Sequence, residues 1–275
     1  MPLLNFSILS PDEFANYIAE TQFIREISVI QNHHTWKPSY NSLSETRNEL
    51  YWLESMRRDH IQSRKWSDIG QNITIFPSGN IALCRPIDIV PAGIYKANTG
   101  AICIENFGNF DAGQDQMTNE QIDSIVLVNA LLCIKFKLNP VKWQIVYHHW
   151  YDTNGKKFQE ARINSGDTIG LQKSCPGTAF FNGNKISDAE SHFFPKIKTK
   201  MEEIIRQKQN AIIPARAKVN AHLLNVRSGP HKNYSILKTL KQGTELSIFA
   251  SDPSGWSRIH NIQEEWVATN YLTKL

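Results

Sequence analysis

Two runs rich in β-branched residues, "REISVIQNHH" and "VKWQIVYHHW", each carry a pair of histidines at or next to the end, and helix-start signals stand before and between them. Strand and helix patterns in alternation predict one mixed sheet flanked by helices, an α/β architecture. Ser10-Pro11-Asp12-Glu13 opens a helix to about Glu20: Ser10 can cap, Pro11 suits the first turn and Glu13 can reach back. Ser44 is the expected cap of "ETRNELYWLESMRRDHI", where Leu50, Leu53 and Met56 recur at helical spacing. Thr118-Asn119-Glu120-Gln121 reads as a second capping box, opening a helix to about Lys137. Between these, "QNITIFPSGNIALCRP" is a hairpin around Pro-Ser-Gly-Asn, and "GAICIENFG" is a further strand. In "VKWQIVYHHW" alternation puts Val146 and His148 on one face and Ile145 and Tyr147 on the other. Lys156 to Ile169 reads as a polar loop, and "SHFFPKIKTKMEEIIRQKQ" as a closing helix.

From about Lys218 the texture changes to short strands punctuated by Ser-Gly-Pro, Gln-Gly and Pro-Ser-Gly, the pattern of a small all-β barrel. The expected organisation is a domain over 1–209 that ends in a helix at about 190–209, a linker over 210–217, and a small domain over 218–275. The chain has 275 residues, 41% hydrophobic and 20% charged, the balance of a soluble globular protein. No apolar run approaches the roughly 20 residues of a membrane span. The N-terminus has no basic region and meets acids at Asp12 and Glu13, so no secretory signal is expected. A net charge of +4 is mild. It suits an anionic polymer, and without a nucleic-acid motif or dense basic cluster no nucleic-acid partner is expected.

Four cysteines do not make a disulfide scaffold. Cys84, Cys103 and Cys133 stand in apolar runs and read as small buried hydrophobes. Cys175, in the loop "LQKSCPG", has Lys, Ser, Pro and Gly for neighbours, which leaves a nucleophile or a metal ligand as its strongest readings. The ends of strands in an open sheet are where ligands bind. Two histidine pairs there, with a loop cysteine, meet the needs of a catalytic zinc, which takes three protein ligands and leaves one position open. The spacing is not that of a compact zinc finger and does not by itself establish a site.

These segments, in this order, resemble a zinc-dependent N-acetylmuramoyl-L-alanine amidase, of the superfamily of phage endolysins and peptidoglycan-recognition proteins. The resemblance is carried by "HHTWKPSY", "KWSDIGQNITIFPSGNIALCRP", "GAICIENFGNFD", "IVYHHWYD" and "KSCPGTAFF", over about residues 20 to 183. It implies a Zn2+ held by His33, His148 and Cys175, with Glu105 as general base and acid and Lys173 polarising the scissile carbonyl. It makes His34, Trp36, Gln71, Asn72 and His149 candidate substrate contacts. Lys65 replaces the glycine before the tryptophan, Gln71 and Asn72 stand where some members carry tyrosine and histidine, and the 156–169 segment is an insertion. The C-terminal "LNVRSGP", "LKQGTEL", "GWSRIH" and "EEWVATNYL" resemble a bacterial Src-homology-3-like (SH3-like) domain, with Glu265 where a glycine is usual. Such domains commonly hold an enzyme on cell wall, and Trp256, Tyr234, Trp266 and Tyr271 are its candidate groove aromatics, core packing being the competing role for each.

The implied function is a monomeric peptidoglycan hydrolase with no membrane span, acting on the cell wall after release from the cytoplasm or outside the cell. The alternatives are a non-catalytic peptidoglycan-recognition protein, which would be expected to lack a zinc ligand, and a Cys/His wall peptidase using Cys175 as a thiolate.

Overall fold

Ser10 caps the first helix as its sequence predicts: its hydroxyl accepts the Glu13 amide at 3.3 Å, and the Glu13 carboxylate accepts the Ser10 amide at 2.8 Å. The helix, α1 (Pro11–Glu20), follows a short strand β1 (Ser7–Leu9) and buries Phe14 and Ile18. The computed structural model describes residues 5–165, 173–212, 215–260 and 263–275. The chain divides into two units, Met1–Glu202 and Glu203–Leu275.

In the first unit, β2 (Val29–His34), β3 (Ile73–Ile75), β4 (Ile81–Leu83), β5 (Ala101–Asn106) and β6 (Ile145–Tyr147) join β1 in one mixed sheet of order β1-β4-β3-β5-β2-β6. β3 and β4 form the expected hairpin, closed by Gly79 at φ +86°. β3, β5, β2 and β6 run parallel, so their C-terminal ends open on one edge of the sheet. A central parallel strand is covered on both faces and tolerates polar residues only when they are paired. β2 meets that condition at Asn32, which exchanges amide hydrogen bonds of 3.0 and 3.2 Å with Asn129. Asn129 belongs to α3 (Asn119–Phe136), the long helix that packs on this face.

Four local expectations change. The second helix, α2 (Glu49–Gln62), is capped by Asn48 and not by Ser44, which instead closes a turn with Arg47. Thr118 does cap α3, but Gln121 does not reach back: its amide nitrogen donates to the carbonyls of Ile75 and Phe107, and its oxygen accepts the Tyr40 hydroxyl. The Tyr40 hydroxyl, a tertiary donor, takes the oxygen that would have accepted the Thr118 amide. His148 leaves β6 and starts a 3-10 turn to Trp150. Within the expected 156–169 loop, Glu160–Ser165 is a short helix, α4, and residues 166–169 lie outside the described residues. A single turn, α5 (Ile186–Asp188), and a π-turn over Ala189–Phe193 lead into α6 (Phe194–Ile212).

The second unit contains β7 (Ala215–Val219), β8 (Leu223–Arg227), β9 (Ile236–Lys241), β10 (Glu245–Ile248), β11 (Ala250–Asp252), β12 (Trp256–Arg258), β13 (Trp266–Ala268) and β14 (Leu272–Lys274). They form two sheets, β10-β7-β14 and β11-β12-β13-β8-β9, around Val219, Leu224, Val226 and Val267. The expected 210–217 linker is helix through Ile212 and strand from Ala215. No helix among the described residues is long and apolar enough to cross a membrane.

Candidate metal centre

Register builds the site. In the parallel pairing of β2 with β5, His33 lies opposite Glu105, and in that of β2 with β6, Asn32 lies opposite Tyr147, so His33 is level with His148. The His33 and His148 rings approach edge to face at 4.8 Å between centroids. Cys175 arrives from a separate loop that several bonds draw over the strand ends. The His149 amide donates to the Cys175 carbonyl at 2.7 Å, Asn184 donates to the Ser174 carbonyl at 2.8 Å, and the Ser174 hydroxyl donates to Asp111 at 3.0 Å. Gly177, at φ +118°, lies against the Phe110 carbonyl where any Cβ would overlap it.

His33, His148 and Cys175 each present a ligand atom within 4.8 Å of the others. The fit to zinc can be judged on one edge of that triangle. A tetrahedral ion ~2.05 Å from nitrogen and ~2.3 Å from sulfur sets the two about 3.6 Å apart; His33 Nδ1 and Cys175 Sγ are 3.5 Å apart. The His34 amide points at the same sulfur from 3.4 Å, a donor that suits a thiolate. The donor set and its spacing therefore fit zinc.

Burial governs the charges here. It holds His33 well below the ordinary histidine range, helped by the charges of His148, Lys173 and His34. It takes His148 down to about 4, with Lys173 adding to the effect. The Cys175 thiol is pushed up, first by burial and then by Glu105. Burial also raises Glu105 to about 8, against the opposing pull of Lys173 and Arg64. Without a cation the cluster is thus close to neutral, with uncharged imidazoles, a protonated thiol and a largely protonated carboxyl. A divalent ion reverses that balance for the thiol and the carboxyl.

Glu105 opens on a cleft of about 860 Å³ that also takes in His33, His148, Lys173 and Cys175. No hydrogen bond or ion pair among the described residues ties its carboxylate down. The other expected contacts divide. His34, Trp36 and Gln71 line the cleft. Trp36 is 52% exposed on the rim, whereas His34 Nδ1 accepts the Phe110 amide at 3.1 Å. Asn72 does not line the cleft: it is buried, donates to the carbonyls of Arg85, Pro86 and Ile89, and accepts the Cys103 amide. Its amide locks the hairpin to β5. His149 also turns away, with Nδ1 2.7 Å from the Lys173 carbonyl, and so holds the Cys175 loop.

Two cleft residues, His60 and Gly93, and the buried Gln31 have no place in the motif reading. His60 on α2 accepts the Gly70 amide at 3.0 Å and packs at a tilt against Trp66, with 4.8 Å between ring centroids. Its only signal is its place near the end of an amphipathic helix. Gln31 and Gly93 lie beside His33. Gln31 is detectable as a glutamine inside a β-branched strand, two residues before His33. All four cysteines are free and buried, and Cys103 stands beside the site as well as packing in the sheet. In the second unit Trp256 is buried, Trp266 donates to Glu264 at 2.6 Å, and Tyr234 and Tyr271 are 47% and 46% exposed.

Comparison with known proteins supplies the family. The N-acetylmuramoyl-L-alanine amidase family matches residues 24–178, and the bacterial SH3 domain matches residues 222–273. Similar solved structures include Drosophila PGRP-LB, at 18% identity over 62% of this chain and 84% of that one, with a TM-score of 0.44. They also include the N-acetylmuramoyl-L-alanine amidase LysC from Clostridium intestinale URNW, at 21% identity over 66% of this chain and 91% of that one, with a TM-score of 0.42. No curated protein matches. The first match takes in more than half of the sequence, and the chain belongs to the N-acetylmuramoyl-L-alanine amidase family, with a bacterial SH3 domain at its C-terminal end.

Proposed function

We propose that this protein is a zinc-dependent peptidoglycan amidase that cleaves the amide between the lactyl group of N-acetylmuramic acid and L-alanine. The observation that carries the reading is the meeting of His33, His148 and Cys175 beside an untethered Glu105 in one cleft. His33, His148 and Cys175 would hold the ion, leaving a fourth position toward the cleft. Zinc bound there supplies Lewis acidity for the scissile carbonyl and lowers the pKa of water.

The chain's own groups do the rest. Glu105, ionised once a cation is near, takes a proton from the attacking water as the new C–O bond forms. The Lys173 ammonium offers positive charge to the oxygen that becomes negative. Glu105 then gives its proton to the alanine nitrogen as the C–N bond breaks, and both carboxyl and amine are released. A thiolate nucleophile is the weaker reading, because burial raises the Cys175 thiol where a nucleophilic cysteine needs it lowered. The SH3 unit would hold the enzyme on cell wall, with exposed Tyr234 and Tyr271 as its available aromatic faces. Peptidoglycan is the proposed partner, and the cell wall the proposed place of action of a monomer.

The test is product analysis on purified peptidoglycan. New L-alanine amino termini, lost with chelator and restored by zinc, are expected. Wall binding with no new termini would make the protein a recognition module, and new reducing sugar ends would make it a glycosidase.

A further inference from the structure

We propose that Gln31 is a positioning residue that decides which nitrogen of His33 faces the metal, and thereby which of two donor sets takes zinc. The inference rests on the zinc reading above. Gln31 precedes His33 by two on β2, so both side chains leave the same face of the sheet, and Gln31 is fully buried.

The orientation of its amide is determined at both ends. One end lies 2.7 Å from the Ala97 carbonyl oxygen, which can only accept, so that end is the NH2 group. The other lies 3.2 Å from the Ile94 amide, which can only donate, so that end is the oxygen. Turning the amide round would set donor against donor and acceptor against acceptor. Oε1 is therefore the atom that faces His33 Nε2 at 3.4 Å. Facing an acceptor, Nε2 carries the ring proton and Nδ1 keeps its lone pair. Nδ1 is the nitrogen 3.5 Å from Cys175 Sγ.

The choice matters because His33 belongs to two candidate sets. One is His33, His148 and Cys175; the other is His33, Cys103 and Glu105. Nε2 and Cys103 Sγ share the space beside Gly93, where an added Cβ would stand 3.1 and 2.9 Å from them. With its proton committed to Gln31, Nε2 has no lone pair for an ion on the Cys103 side. The metal is directed to the Cys175 side, and Glu105 is left free for proton transfer. The surrounding loop is built for this contact. A Cβ on Gly93 would overlap Gln31 Oε1, and Asn98 accepts the Gly93 and Ile94 amides at 3.0 Å each, holding the turn around the glutamine.

Two measurements test the role. Long-range nitrogen–proton correlation on 15N-histidine-labelled, metal-free protein should find the His33 proton on Nε2; a proton on Nδ1 overturns the proposal. Zinc competition against a chromogenic chelator should find Gln31→Met, which keeps the size and loses the acceptor, weaker by about 10- to 100-fold. Its His33 proton should spread over both nitrogens. Gln31→Glu restores an acceptor opposite Nε2 and should regain most of the affinity. Unchanged affinity and tautomer in Gln31→Met overturn the role of Gln31 alone, whereas a wild-type protein that takes no zinc overturns the metal reading. If Gln31→Met does not fold, the wild-type tautomer decides.

Discussion

Glu105 and His33 lie directly opposite each other across the parallel β5–β2 pair, so one step of register places a candidate acid–base group beside a candidate zinc ligand. A carboxyl so placed is costly when the metal is absent, since burial raises it to about 8. Folded protein then holds a proton that the unfolded chain gives up near pH 4.5, so this group's contribution to stability falls as pH rises between about 4.5 and 8. Chelator-treated Glu105→Gln should therefore match wild type near pH 4 and be the more stable by about 1–3 kcal/mol at pH 8, the cleft opening having reduced the full effect. Denaturant melts at the two pH values check it. With zinc, the same variant should keep its metal and lose about 10²- to 10⁴-fold in rate.

Zinc uptake should release protons. At pH 7 the Cys175 thiol and most of the Glu105 carboxyl are protonated in the metal-free site, while His33 and His148 are already neutral. Between one and two protons per zinc are expected, falling to about one in Glu105→Gln. Calorimetric titration in buffers of different ionisation enthalpy counts them, and a release of zero in wild type would exclude Cys175 as a ligand.

Lys173 faces both the cleft and the Glu105 carboxyl, whose pKa it lowers. Lys173→Met should cut turnover on peptidoglycan about 10²- to 10³-fold while zinc content stays at wild-type level. Turnover within twofold of wild type would remove it from the chemistry.

Gly177→Ala tests the seat of the cysteine loop. The residue sits at φ +118°, with no room for a methyl against the Phe110 carbonyl. A loss of about 1–3 kcal/mol in thermal stability is expected, together with weaker zinc binding because Cys175 moves with the loop.

His149→Phe separates the two histidines of the second pair. Because His149 bonds the Lys173 carbonyl and lies outside the cleft lining, its loss should leave KM for peptidoglycan nearly unchanged and cost about 1 kcal/mol of stability. A raised KM with unaltered stability would restore it as a substrate contact.

Much of this protein is local in origin and was legible in its residues. The Ser10 cap, the Pro-Ser-Gly-Asn turn and the β-branched runs depend on neighbours a few positions away, and the observed helices and strands follow them. The His-His pairs stand at strand ends, and motif order joined them to Cys175 and Glu105. What only the tertiary structure decided are the partners of polar side chains. Gln121 gives up its cap for the Tyr40 hydroxyl and two distant carbonyls, Asn72 and His149 spend their hydrogen bonds inside the protein, and Gln31 meets the His33 ring through an amide pinned by residues 94 and 97. A buried donor or acceptor must find a partner wherever the fold supplies one, and distance along the chain carries no record of which it will be.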